Sequence, residues 1–464
     1  MSGIVTNDDF LRLMGDPEPA MLGALVSLYE IGCLVGALMT GSISDRYGRK
    51  ATIRIGCSIL LVGAILQTAT NGFALSISSR IITGIGNGMN TATVPVFQSE
   101  ISPPQSRGAH ICFECCLLVV GIGIAYWLEF GLYYVDGDIA WRFPLAFQAF
   151  FGVILLAGTF ILPETPRWLV AHGHHQDAKQ VLADLWTDGN IKAERCLAEF
   201  NEIKEAIEYE QAATQHSASS YRALFNQTNR SRVCLGMLSQ MIQQLSGINV
   251  TTYYLANVFL QAGLSRAMAM MLAGIDSIVY FIGSLLPIYL TERVGRRKIM
   301  LWGLVGQMIT LVCIGGCQKA GIDYNQGTWT AAGGSQGAVV MTMMYNFVFG
   351  ASWLGMAWLY PAEIFSTGLR AKGNSLSTAA NWMGNFVVAE MAPIMFASMG
   401  YWTYVFFAGL NLLFIPLVYF LYPETQGLSL EQIEQLFTAT HHHTSPYKAS
   451  NTTTNTNTDE EKSF

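Results

Sequence analysis

The sequence predicts an all-α polytopic membrane protein built from two pseudo-symmetric helix bundles. Three observations carry that reading. Of the 464 residues, 51% are hydrophobic and only 12% charged, about half the charged share of a soluble globular chain. Eleven apolar runs are long enough to cross the roughly 30 Å of hydrocarbon that about 20 helical residues span. Charged motifs of the first half recur in the second. Length alone would suit about three soluble domains, which a mean hydropathy of +0.34 rules out. The formal net charge of −6, with no clustered basic segment, excludes a nucleic-acid partner.

Taken in order, the first 20 residues carry Asp8, Asp9, Asp16 and Glu18 and lack the basic start and apolar stretch of a secretory leader. Five spans are predicted near 21–43, 52–71, 74–98, 109–132 and 144–162. Six more are predicted near 233–260, 267–290, 299–317, 337–360, 373–397 and 402–422. This divides the chain into a five-span bundle over 1–162 and a six-span bundle over 232–437. Between them, 163–231 is polar, with Lys179, Lys192, Glu202, Lys204 and Glu208 at helix-like spacings, and predicts a short helical domain outside the bilayer. The Thr/Asn/Ser-rich tail over 438–464 cannot bury a core and is expected to be disordered.

Lysine and arginine collect on the cytoplasmic side of membrane proteins. Alternate loops place 21 of the 26 basic residues on one side, against Arg12, Arg142, Arg266 and Lys319 on the other, with Arg80 inside a span. The 163–231 segment and the tail are therefore predicted inside, and the N-terminus outside. The nine cysteines fall mostly in apolar runs without a disulfide rhythm and are read as free thiols. Cys112 and Cys115 form a CxxC with no second ligand pair, and His172, His174, His175 and His441 to His443 lie in polar segments where solvated histidines are the rule.

The repeat is specific. Asp45-Arg46-Tyr47-Gly48-Arg49-Lys50 recurs as Glu292-Arg293-Val294-Gly295-Arg296-Arg297-Lys298. Glu100 precedes Arg107 by seven residues and Glu363 precedes Arg370 by seven, 263 residues later, while Pro163-Glu164-Thr165 recurs 260 residues later as Pro423-Glu424-Thr425. Four spans follow the acid-Arg-x-Gly-Arg loop in each half, but two precede it in the second half and one in the first. A six-plus-six plan lacking its first helix is the expectation, eleven spans instead of twelve. That plan belongs to proteins whose halves rock about a midplane site.

All these motifs fall at the predicted cytoplasmic edge, where arginines can pair with carboxylates and helix ends away from the bilayer centre. Singly, each reads as ordinary positive-inside charge. Duplicated together, they read as a latch: Asp45, Arg46, Arg49, Glu100, Arg107, Glu164 and Arg167 in one half, Glu292, Arg293, Arg296, Glu363 and Arg370 in the other. Such a latch is bonded while the outer side is open and released as the inner gate opens.

Through these motifs, with Pro163-Glu-Thr-Pro-Arg167-Trp168-Leu169, Gln243-Gln244-Leu-Ser-Gly247-Ile-Asn249 and Pro423-Glu424-Thr425-x-Gly427, the chain resembles the sugar porter family of the major facilitator superfamily. Within it, the chain is most similar to fungal hexose and disaccharide porters. The match runs from Met1 to about Phe437. The resemblance implies the major facilitator fold, a multi-pass place in the plasma membrane, a small neutral sugar as substrate, no cofactor, and transport that is either facilitated or coupled to H+.

Gln240, Gln243 and Gln244 share one helix face at i, i+3 and i+4, and Asn249 and Tyr253 stand four apart, so amides and a phenol project toward one cavity. Amides can bond vicinal hydroxyls without a fixed charge to desolvate, or they can bond neighbouring helices. The resemblance implies sugar contacts at Gln243, Gln244, Asn249 and Tyr253. It further implies an aromatic platform at Trp358 and Trp382 and more hydroxyl ligands at Asn381 and Asn385, a tryptophan face being suited to stacking on a pyranose. A glutamine usual on the family's fifth helix aligns with Cys115, so that amide is missing.

Gly84, Gly86 and Gly88 lie within a span and are read as close helix packing, not as a phosphate loop. No Ser/His/Asp set, metal cluster or paired catalytic carboxylates shares a pocket, so no enzyme chemistry is inferred. Glu30, Glu114, Glu129, Asp276 and Glu390 lie in or near spans, where an acid is a functional hypothesis by default. Proton-coupled relatives use an acid on the first helix; here Glu30 or Glu114 stands in, or these acids sit at a membrane edge or pair with Arg80. Met1-Ser2-Gly3-Ile4 resembles the residues that close the family's first helix. Two other functions compete: a non-transporting sugar sensor reporting through the tail, and a porter of quinate or another organic acid, for which Arg80 is the candidate cation.

Overall fold

The computed structural model describes residues 4, 7–103, 106–213, 221–253, 255–261, 264–325, 334–366, 368–428, 432–433 and 436–437. The tail beyond 437, with His441 to His443, and Met1 to Gly3 lie outside the described residues. A short helix, α1 (Asp8–Leu13), is capped by Asn7, whose side chain accepts from the Phe10 N–H at 3.0 Å. The first half then consists of α2 (Pro19–Tyr47), α3 (Arg49–Thr68), α4 (Phe73–Ile101), α5 (Arg107–Leu132) and α6 (Ile139–Ile161). Four helices follow: α7 (Pro166–Ala171), α8 (His175–Trp186), α9 (Glu194–Ala213) and α10 (Tyr221–Leu224).

The second half opens with α11 (Gln227–Gln243), α12 (Asn249–Thr252) and α13 (Leu255–Gln261). It continues with α14 (Arg266–Val294), α15 (Arg296–Asn325), α16 (Gly334–Gly350), α17 (Trp353–Ile364), α18 (Arg370–Met399) and α19 (Trp402–Leu421). Among the described residues, eight helical stretches are long and apolar enough to cross a membrane, and they coincide with eight of the eleven predicted spans. The three others, near 74–98, 233–260 and 373–397, are helical but more polar. Their polar side chains are buried: Thr83, Asn90 and Thr93 in α4, Ser239, Gln240 and Gln243 in α11, Asn374, Thr378 and Asn381 in α18. Inside a bundle such groups bond neighbouring helices instead of meeting lipid.

The span expected over 233–260 is not one rod. It begins at Gln227, inside the segment assigned to the linker, and a π-helical turn, Gln244–Ile248, interrupts it where Gly247 takes φ +107°. Only glycine adopts that conformation without strain, and π turns recur at functional sites.

Close packing of α2 on α4 depends on missing Cβ atoms. A side chain at Gly36 or Gly88 would collide with the backbone of Ile85 or Cys33, and one at Gly84 with that of Tyr29. Gly86 approaches α3 at Leu60 in the same way. The outer faces of α6 and α19 expose Phe150, Ile154, Ile161, Leu413 and Phe420, side chains suited to lipid. Between the halves, α2 lies along α18 and α5 along α14. The intervening helices have a core of their own, with Leu182, Cys196, Phe200 and Ile203 packed under Leu169 and Val170.

Candidate functional site

The duplicated motifs fold into two matching clusters at one end of the helices. In the first, the Arg49 guanidinium donates to Glu100 Oε1 at 2.9 Å and to the Ser44 carbonyl at 3.3 Å, while Thr165 Oγ1 donates to Glu100 Oε2 at 2.7 Å. In the second, Arg296 donates to Glu363 Oε1 at 3.0 Å, to Glu292 Oε2 at 2.9 Å and to the Thr291 carbonyl at 3.0 Å, while Thr425 Oγ1 donates to Glu363 Oε2 at 2.9 Å. Arg49, Glu100, Arg296 and Glu363 are almost fully buried, and deleting one partner of such a pair costs about 3–5 kcal/mol.

Glu164 plays a different part from the ion pair expected of it. Its carboxylate accepts from the backbone N–H groups of Arg49 at 3.0 Å, Lys50 at 3.1 Å and Thr165 at 3.1 Å, so it caps the start of α3, whose first N–H groups have no helical partner. Burial holds its carboxyl above the usual value against the pull of those N–H groups. Glu424 caps α15 likewise, from Arg296 at 2.8 Å and Arg297 at 3.1 Å. The motif glycines follow from this: Gly48 and Gly295 have φ +91° and +96°, and a side chain on either would strike the capping carboxylate.

The halves are tied together at this same end. Lys372 of α18 pairs with Asp45 of α2, the Arg370 guanidinium lies 3.8 Å from Glu100, and the Gly108 N–H donates to Glu292 Oε1 at 3.0 Å. Asn374 adds a bond to the Ala92 carbonyl at 2.8 Å. Arg107 is buried and donates to the Ser99 carbonyl at 3.2 Å, and Arg167 is buried at the start of α7. Arg46 and Arg293 depart from expectation. Both are exposed and lie over tyrosine rings, Arg46 at 5.3 Å from the Tyr47 centroid and Arg293 at 3.8 Å from that of Tyr289, because the helix turns them away from Asp45 and Glu292, the acids one residue earlier.

Midway along the helices the predicted amides meet. Asn381 is the hub: its Nδ2 donates to Gln240 Oε1 at 2.5 Å and to Gln243 Oε1 at 2.7 Å, and its Oδ1 accepts from Gln244 Nε2 at 2.9 Å. Asn249 Nδ2 donates to Gln244 Oε1 at 2.6 Å. Gln240 and Gln243 also donate to the carbonyls of Ala357, Trp353 and Leu354 in α17. The π turn is what brings Asn249 back toward Gln244, five residues earlier.

Asn385, one turn beyond Asn381, donates to the Tyr253 hydroxyl at 3.2 Å, and that hydroxyl donates to Glu30 Oε1 in the first half at 3.1 Å. Trp382 reaches across as well, its Nε1 donating to Thr91 Oγ1 at 3.3 Å and its ring meeting Tyr29 edge-on at 6.3 Å. Trp358 stands apart from this network, half-buried against the apolar core of the second half. Cys115, in place of an amide, points its Sγ at the Leu354 carbonyl, 3.8 Å away.

Beside Tyr253 lies a cavity of about 480 Å³ lined by Tyr29, Glu30, Gln67, Arg80, Tyr126 and Gln148, among others. Gln240 and Glu30 belong to this site, although the sequence pattern ranks neither among its ligands. Gln240 was visible as the third member of the glutamine face. For Glu30 the signal was an acid inside an apolar run, for which the sequence offered Arg80 as a partner and not Tyr253.

The comparisons agree with this architecture. The family model described as "Sugar (and other) transporter" matches residues 8–437. An MFS-type transporter of Aspergillus oryzae, oryC, is 38% identical over 94% of this chain and 81% of its own length. The sugar transporter STL1 of Saccharomyces cerevisiae is 34% identical over 92% of this chain and 74% of its own. The structure of the proton:xylose symporter XylE of E. coli superposes with a TM-score of 0.80 at 22% identity, covering 94% of both chains. A multi-pass helical membrane protein with two matching charged clusters and a buried amide site at mid-depth, matched by this family from α1 to Phe437, is a transporter and not an enzyme: the chain belongs to the sugar porter family of the major facilitator superfamily.

Proposed function

We propose that the protein moves a neutral sugar, a hexose or related mono- or disaccharide, across the plasma membrane by alternating access. The observation that carries this reading is the buried group of Gln240, Gln243, Gln244, Asn249 and Asn381, which bond one another and so present exchangeable donors and acceptors without net charge. A sugar hydroxyl can replace an amide partner in such a network, exchanging one hydrogen bond for another at small net cost. The ionic ties between the halves lie at the charged end, while the cavity beside Tyr253 lies toward the other. This arrangement suits a carrier that admits its substrate from the end opposite the latch. Trp358 and Trp382 are assigned the stacking faces, and Tyr253 and Asn385 the contacts nearest the cavity.

Uptake of radiolabelled hexoses, pentoses and disaccharides in a transporter-null host, with surface expression confirmed, tests the proposal. At least one sugar is expected to enter and to be displaced by its unlabelled form, and Gln244→Ala is expected to weaken its uptake. Sugar binding without any flux would favour a sensor instead, and uptake of an organic acid abolished by Arg80→Gln would favour the acid porter.

A further inference from the structure

We infer that Asp276 of α14 is a positioning residue: through Asn346 and Thr251 it holds α12 so that Asn249 reads one particular hydroxyl of the cargo, a step that rests on the transport reading above. α12 has four residues, Asn249–Thr252, and follows directly on the π turn at Gly247. So short a helix does not fix its own direction, because helices of this length are held by tertiary contacts and not by their own hydrogen bonds. What surrounds α12 therefore decides where Asn249 and Tyr253 stand.

Asn249 and Tyr253, four residues apart, occupy one face of this turn, and Thr251 faces the opposite way. On that rear face the buried Thr251 hydroxyl is shared between Asn346 Oδ1 at 3.0 Å and the Ile248 carbonyl at 2.9 Å. Asn346 Nδ2 in turn donates to Asp276 Oδ2 at 2.7 Å, and both residues are buried. The chain of bonds runs from α14 through α16 to α12 within the second half. Next to Asn346, Tyr345 donates to the Ser246 carbonyl at 3.0 Å, and Asn411 of α19 donates to the same oxygen at 2.9 Å. These two fix the turn before α12, while Asn346 fixes the helix itself. From the first half, Tyr126 donates to the Thr252 carbonyl at 2.6 Å.

The carboxyl sets the polarity of the chain. An amide can be turned over, exchanging donor and acceptor. With Asp276 Oδ2 accepting, the Asn346 NH2 must face α14 and its oxygen must face Thr251, which draws the rear of α12 toward α16 and leaves Asn249 directed at Gln244, 2.6 Å away. Without that acceptor a buried N–H is stranded, and turning the amide over to relieve it takes away the oxygen that Thr251 needs. Asp276 Oδ1 has no hydrogen-bond partner among the described residues. One oxygen carries the tether, and an asparagine can supply it.

The test uses counterflow in proteoliposomes of the sugar identified by the uptake panel, competed by each of its monodeoxy analogues. Loss of the hydroxyl that Asn249 bonds should weaken competition about tenfold in wild type, the size of one hydrogen bond, and Asn249→Ala identifies that analogue as the one it no longer discriminates. Asp276→Leu and Thr251→Val are each expected to reduce the same discrimination to within about twofold, to raise KM about tenfold without lowering the maximal rate, and to leave discrimination at the other hydroxyls intact. The double variant should go no further, because the tether is lost only once. Asp276→Asn is expected to restore what Asp276→Leu loses. Should Asp276→Leu fail to reach the membrane, Thr251→Val, the smaller change of shape, decides the case. Discrimination lost evenly at all hydroxyls, or a lower maximal rate with the pattern preserved, would overturn the inference, since damage to the bundle and not the placing of Asn249 would explain it. So would an Asp276→Asn that loses the pattern while Thr251→Val keeps it, or an Asn249→Ala that discriminates every analogue as wild type does. Sugar exchange with an unchanged pattern in all variants would overturn it and leave the transport reading intact; absence of any exchange in correctly inserted wild type would overturn both.

Discussion

The pair Lys372 and Asp45 offers a direct measure of how firmly the charged end is held shut. It joins α18 to α2 across the two halves, and its side chains are 5% and 24% exposed. Exposed pairs contribute about 0.2–1 kcal/mol, and breaking buried ones costs about 3–5 kcal/mol. This half-sheltered pair is placed between them at about 2 kcal/mol, or about 30-fold in the equilibrium between closed and open latch. Ser375, fully buried beside the pair, provides the reporter. With Cys234, the exposed native cysteine, replaced by serine, Ser375→Cys is labelled from the latch side of inverted vesicles by an impermeant thiol reagent. Lys372→Met and Asp45→Asn are each expected to raise the labelling rate about 30-fold, and the double variant no further, because the interaction is lost only once. Single variants that change the rate by less than about twofold, or a double variant equal to the product of the singles, would show that the pair does not hold the latch.

Other outcomes follow from the same geometry. Asn381→Ala strands the oxygens of Gln240 and Gln243 and the amide of Gln244, each costing about 1–3 kcal/mol when buried unpaired. Its KM for sugar is expected to rise at least about tenfold, as initial-rate uptake will show. Thr165→Val and Thr425→Val each remove a hydroxyl from a buried carboxylate, a bond of about 1.5–3 kcal/mol. Because the clusters are duplicates, both variants should lower the melting temperature in detergent by similar amounts. Gly247→Ala places a Cβ at φ +107° and 3.3 Å from Phe407, and a strained backbone of this kind costs about 1–3 kcal/mol. It is expected to reduce both thermal stability and uptake, whereas Gly121→Ala, with open space around its Cβ, should leave stability unchanged.

The division between what residues announce locally and what their neighbours decide is sharp here. Eight spans were readable because lipid contact demands apolar length, and length and hydropathy are local properties. The charged clusters were readable because duplication repeated their acids and arginines at matched spacings, from Asp45 with Arg49 to Glu363 with Arg370. The glutamine face was readable from helical periodicity. Pairing was not. The sequence made Glu164 an ion-pair partner, but its place beside the start of α3 makes it a cap; it put Arg46 and Arg293 in the latch, but helix rotation carries them outside. The break at Gly247 was invisible because hydrophobicity does not report backbone φ, and the buried polar faces of α4, α11 and α18 make three of the predicted spans less apolar because their partners are other helices. The tie between Glu30 and Tyr253, 223 residues apart, was equally hidden. By itself the sequence determined the class of protein, the repeat and the identity of the polar groups. Only the tertiary structure decided which carboxylate is neutralised by an arginine, which caps a helix and which accepts from a phenol, because that depends on burial and on contacts between helices remote along the chain.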